Sequence, residues 1–159
     1  MLEPTTATVV DQVLRSMDAV AVVGLNDEVD APAYRTADRL QEEGVTIWPI
    51  HPRVRASLGV PAARRVDLLA EPVEVIAIFL RPGLWAEVLA DCERRALEGR
   101  VEGAGQEVIW IEPPPTDGVE GEEAGEVEPH EWEPVARLLQ AGRLVVLGRS
   151  LLEEYDARL

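Results

Sequence analysis

Gly24 closes a run of five small or β-branched residues, Ala19 to Val23, and a helix is expected to open near Pro32. A strand, a glycine turn and a helix N-terminus together suit a phosphate, because the helix end carries partial positive charge and unpaired N–H groups. A βα turn also takes glycine for backbone reasons alone, and two of the three glycines of the dinucleotide fingerprint are missing here. Both readings stay open at Gly24. Arg35, Arg53, Arg81 and Arg149 are the arginines placed to make charge-assisted hydrogen bonds to such an anion. His51 ends another apolar run; it either reaches a ligand or hydrogen-bonds the backbone of its own turn.

Other chemistries lack their parts. Hydride transfer to a dinucleotide wants G-x-G-x-x-G and an acid about 20 residues on, and Gly24 has no such partners. Ser16, Ser57 and Ser150 have no base in an evident pairing, and no G-x-S-x-G occurs. All 15 basic residues are arginine, which excludes a Schiff-base or P-loop lysine. Cys92 is the single cysteine, so there is neither an internal disulfide nor a thiolate cluster, and it is expected to be a packed small hydrophobe. With His51 and His130 the only histidines, no metal site is expected. No residue is assigned a catalytic role.

The formal charge of −15 argues against nucleic acid, whose binding rests on phosphate contacts. The charge is uneven. Residues 98–133 carry 12 acids against one arginine, a net −11, so the rest of the chain is only mildly acidic and can still hold an anion. The apolar fraction of 47% over 159 residues fits one globular domain spanning 1–159. No apolar run approaches the roughly 20 residues that span a bilayer, and the first ten residues lack a signal-peptide pattern, so a cytoplasmic location without membrane contact is expected.

The elements that must position these residues alternate. A first helix, capped by Thr5 or Thr6, runs to about Met17 with Val9, Val10, Val13, Leu14 and Met17 on one face. The run Ala19–Val23 has no polar alternation and reads as a strand buried on both faces. Tyr34 to Glu43 forms a helix stopped by Gly44, and residues 45–50 form the second strand, with Pro49 expected to fray its end. Pro61 to Leu69 reads as a short helix or irregular link. Residues 73–79 form the third strand, Leu84 to Leu97 a helix with Leu84, Val88, Leu89 and Cys92 inward, and residues 107–111 the fourth strand. Residues 112–130 hold many acids and few apolar residues, and read as a mobile surface insertion. A helix from Glu131 or Glu133 to about Ala141, burying Val135, Leu138 and Leu139, leads to a fifth strand at 144–147 and a short helical tail. Five strands with helices between them predict an α/β fold: a Rossmann-like, doubly wound, five-stranded parallel sheet in three α/β/α layers. Ligands of such sheets sit at the strand C-terminal ends, here Gly24-Leu25-Asn26, His51-Pro52, Leu80-Arg81-Pro82, Glu112 and Gly148-Arg149-Ser150.

The ordered series AVVGLN, PAYRTADRLQEEGVTIWPIHPR, SLG, EPVEVIAIFLRP, VIWIE and VVLGRS resembles the small stand-alone CoA-binding proteins. These are similar to the CoA-binding domain of succinyl-CoA synthetase α subunits. The resemblance runs from about Val20 to Ser150 and implies non-covalent binding of coenzyme A or an acyl-CoA. It places the diphosphate at Gly24, Leu25 and Asn26 and at Tyr34, Arg35 and Thr36 of the following helix. It places the adenosine near Ile50, His51 and Pro52, and adds Arg53, Phe79, Leu80, Arg81, Pro82 and Glu112 to the ligand-binding set. The chain departs from that family at Asn26, where serine is usual, at the acidic Asp27, Glu28 and Asp30, and at Glu112, where glutamine is usual. The implied partner is a small-molecule nucleotide; monomer and homodimer are both open. Two alternatives accompany this reading. One is an enzyme acting on a CoA thioester with His51 or Glu112 as base. The other is a degenerate member that has lost its ligand and engages other proteins through the acidic segment.

Overall fold

A computed structural model of the chain describes residues 4–112 and 128–158. The acidic insertion expected at 112–130 falls almost entirely outside the described residues, and the Thr5 or Thr6 cap lies outside the described side chains. Five parallel strands form the central sheet: β1 (Ala19–Val23), β2 (Thr46–Ile50), β5 (Val75–Ile78), β6 (Val108–Ile111) and β7 (Val145–Leu147). Their order is β2-β1-β5-β6-β7. This is the doubly wound arrangement, and strand order reverses between β1 and β5.

The apolar runs build two cores because alternate residues point to opposite faces. Val20 and Val22 of β1 face one layer, with Leu14 of α1 (Pro4–Ser16), Ala37 and Leu40 of α2 (Pro32–Glu42) and Leu151 of α5 (Leu151–Asp156). Ala19, Ala21 and Val23 face the other, with Val88, Leu89 and Cys92 of α3 (Trp85–Glu98) and Val135 and Leu138 of α4 (Glu133–Gln140). Cys92 is buried as expected, and burial pushes its thiol up to about 12.

Three expectations need correction, and one element is added. Pro49 does not fray β2. It lies in register with Val22, and Ile50 still pairs with Val23 and accepts from the Gly24 N–H at 2.9 Å. The proline is tolerated because β2 is an edge strand: the Pro49 carbonyl faces outward to the Ala63 N–H at 3.0 Å, so the missing N–H costs no bond to β1. The link expected over Pro61–Leu69 is present and holds a 3₁₀ turn at Val66–Leu68, but ahead of it the chain forms an antiparallel hairpin that was not expected, β3 (Ala56–Ser57) and β4 (Val60–Pro61). Leu84 points outward and Trp85 inward, since the 3₁₀ turn Pro82–Leu84 shifts the phase of α3. Leu139 is also exposed, because Val135 and Leu138 already fill the inward stripe of α4.

Candidate functional site

The reversal of strand order opens a cleft of about 460 Å³ at the C-terminal edge of the sheet, on the α3 side. Val23 and Gly24 end β1 there, and Phe79 and Leu80 follow β5. Ile50, His51, Pro52 and Arg53 come from the end of β2, Arg64, Arg65 and Val66 from the link beyond the hairpin, Leu84 from the 3₁₀ turn before α3, and Glu87, Val88 and Asp91 from α3. The floor is apolar and the rim is charged, the usual make-up of a small-molecule site.

Gly24 is fixed by geometry. Its φ is +94°, and a Cβ there would lie 3.0 Å from the Phe79 carbonyl oxygen and 3.3 Å from Leu80 Cδ2. Only glycine lets β1 and the end of β5 approach this closely. His51 serves its own turn: Nδ1 accepts from the Arg53 N–H at 3.0 Å and the Val54 N–H at 3.1 Å. The Nδ1 lone pair is therefore engaged, and any further hydrogen bond from this ring falls to Nε2. Arg65 is held by Asp67 at 3.1 and 3.2 Å, and Asp67 and Asp91 also hold Arg94. Arg53 and Arg64 enter no ion pair or hydrogen bond through their side chains among the described residues, so two uncommitted cations stand on this rim.

Of the residues singled out in the sequence, Gly24, His51, Pro52, Arg53, Phe79 and Leu80 are brought together in this cleft. The others stand elsewhere. Leu25 is fully buried in the core beneath α2. Asn26 Oδ1 accepts from the Glu28 N–H at 2.9 Å and so fixes the turn after β1. Tyr34, Arg35 and Thr36 lie in the first turns of α2; Tyr34 packs against the core, Arg35 is exposed and Thr36 is buried. Arg81 and Pro82 open the 3₁₀ turn ahead of α3, and Arg149 pairs with Glu154 at 3.6 Å. The α2 N-terminus has Ala31 at its cap position with no side-chain hydrogen bond, so its first N–H groups keep their capacity for an anion. In the acidic loop before it, Asp27 turns to the hairpin and accepts from Ser57 Oγ at 2.7 Å and the Leu58 N–H at 3.3 Å. Sequence reasoning did not assign Arg64, Arg65, Glu87 or Asp91 to a site. A signal was present, because two carboxylates interrupt the stripe 84-87-88-91 of α3.

Glu112 ends β6 outside the cleft. Its Oε1 accepts from the Leu151 N–H at 2.7 Å and so caps α5, beside Ser150, which caps the Glu153 N–H at 3.2 Å. Burial pushes the Glu112 carboxyl up to about 7 against the pull of that N–H, and the Glu153 charge adds to the push. The folded state thus holds the proton more tightly than the unfolded chain. The resulting stability is complete below about pH 4.5 and is lost as pH rises through 7. The span is about 3 kcal/mol. Urea titrations of Glu112→Gln are expected to run above wild type at pH 8, with the gap closing towards pH 5; parallel pH curves would refute this reading.

The CoA binding domain family matches residues 18–155, nearly the whole chain. The chain belongs to that family. It is 29% identical over 93 residues to the uncharacterized protein YneT of Bacillus subtilis, covering 56% of this chain and 68% of that one. Among solved structures, a hypothetical protein from Pyrococcus horikoshii OT3 superposes with a TM-score of 0.72 at 18% identity, covering 99% of this chain and 98% of that one. The dinucleotide forming acetyl-coenzyme A synthetase 1 of Ca. Korarchaeum cryptofilum, in complex with phosphate and ADP, superposes with a TM-score of 0.61 at 21% identity. It covers 87% of this chain, which matches only 27% of the synthetase. These structural likenesses show a shared Rossmann-like fold. Among the described residues, no group of three histidine, cysteine or acidic side chains could hold a metal ion, and no helix is long and apolar enough to cross a membrane.

Proposed function

We propose that this CoA binding domain holds coenzyme A, or an acyl-CoA, non-covalently and without catalysing its conversion. The adenosine half lies in the cleft on the α3 side, and the diphosphate crosses the Gly24 turn towards the α2 N-terminus. The observation that carries this reading is the cleft at the reversal of strand order, floored by Gly24 and rimmed by Arg53 and Arg64, whose side chains are unpaired among the described residues. Cations on the rim supply the charge-assisted hydrogen bonds that a phosphorylated nucleotide needs. The side chain of His51 supports binding rather than proton abstraction, since its Nδ1 lone pair is already engaged by two backbone N–H groups. Glu112 is likewise engaged as a helix cap outside the cleft.

The test is a thermal-shift panel at millimolar CoA, acetyl-CoA, ATP, NAD and NADP. A ligand at 100 times its dissociation constant stabilises by about 2.7 kcal/mol, a rise of a few degrees for a domain of this size. CoA and acetyl-CoA are expected to shift the melting temperature, with NAD and NADP inert. A panel in which NAD matches CoA would overturn the assignment.

A further inference from the structure

Resting on the binding reading above, we propose that Glu87 is a specificity-determining residue that accepts a hydrogen bond from the exocyclic amino group of the ligand's purine. The cleft is divided by charge. One rim, at the end of β2 and the link beyond the hairpin, carries Arg53 and Arg64, whose side chains are unpaired among the described residues. The opposite wall presents Leu84 from the 3₁₀ turn and Glu87, Val88 and Asp91 from the first turns of α3. Between them lies an apolar floor of Val23, Ile50, Val66 and Leu80. A flat ring suits the floor and its phosphates suit the arginines. Whatever faces α3 must then bring a hydrogen-bond donor, because a carboxylate only accepts.

The two carboxylates are not equivalent. Asp91 is buried and its Oδ1 already holds Arg94 at 2.9 Å. Glu87 is exposed to the cleft and makes no hydrogen bond or ion pair among the described residues. It is therefore the acceptor left for a ligand. An acid in the first turn of a helix also suits the helix dipole. That role would change stability without changing which base is bound, and the two are separable by experiment.

The experiment is a double cycle on the full chain. Adenosine 3′,5′-bisphosphate and purine riboside 3′,5′-bisphosphate, which differ only in the amino group, are titrated into wild type and Glu87→Ala, with CoA titrated as a control. Wild type is expected to bind the aminated ligand about tenfold more tightly, and Glu87→Ala to bind the two equally, with an unchanged melting temperature. A charge-assisted hydrogen bond carries a difference of this order. Equal binding of the two ligands by wild type, or a tenfold preference that survives in Glu87→Ala, would overturn the role of Glu87 while CoA binding still stands. If neither CoA nor the bisphosphates bind, the binding reading itself falls, and the inference with it.

Discussion

Replacing Arg95 by alanine is expected to cost about 3–5 kcal/mol, the largest loss from any single substitution considered for this chain. Arg95 lies on α3 with only 2% of its surface exposed. Its Nε donates to Glu107 Oε2 at 2.9 Å, its Nη1 to the carbonyls of Val66 and Leu69, and its Nη2 to the carbonyl of Glu71 at 2.7 Å. Alanine would strand the Glu107 carboxylate and the Leu69 carbonyl, while the Val66 carbonyl keeps the Leu69 N–H and the half-buried Glu71 carbonyl can turn to water. Burial already pushes the Glu107 carboxyl up against the pull of Arg95, so losing the guanidinium leaves only the unfavourable part. Because the carbonyls belong to the segment that carries Val66 into the cleft, the same change would loosen the cleft wall. A urea midpoint lowered in proportion, with most of the loss recovered in Arg95→Met/Glu107→Leu, is the expected result. A cost below about 1 kcal/mol would show that the pair is not the clamp described.

Gly24→Ala is expected to cost about 1–3 kcal/mol of stability and to weaken CoA binding at least tenfold. The positive φ of +94° disfavours any side chain, and the new methyl would press on the Phe79 carbonyl oxygen at 3.0 Å. Relief requires the ends of β1 and β5 to part, and those ends form the cleft floor. The domain should still fold, since a loss of this size is smaller than the stability of most domains. A variant that melts a few degrees lower yet binds CoA with unchanged affinity would show that the turn is structural only.

Much of the fold was legible because parallel strands are buried on both faces. Ala19–Val23 could be nothing but apolar, and the same reasoning located β5 and β6. Gly44, with φ +90°, and Gly142, with φ +80°, sit where helices must stop, and glycine there was a reliable mark. The hairpin escaped because its turn uses Leu58 at φ +51° followed by Gly59, and leucine is not a residue from which a left-handed conformation is expected. Leu84 and Leu139 were misread for a shared reason: hydrophobicity marks a helix stripe only once the helix phase is known, and the 3₁₀ turn before α3 moves that phase. For the site, topology alone led to the strand ends, and with them Gly24, His51, Pro52, Arg53, Phe79 and Leu80. Which face of the sheet the cleft opens on depends on how the link at 64–66 packs against α3, a contact far apart in sequence. The carboxylate at Glu87 was visible in the α3 pattern, but its place opposite Arg64 in one cleft emerged only in three dimensions.

The most direct measurement is a calorimetric titration of CoA into the full chain at neutral pH. A saturable one-site isotherm, weakened at least tenfold by Gly24→Ala, is the predicted result. A flat titration with wild-type protein shown by circular dichroism to be folded would contradict it.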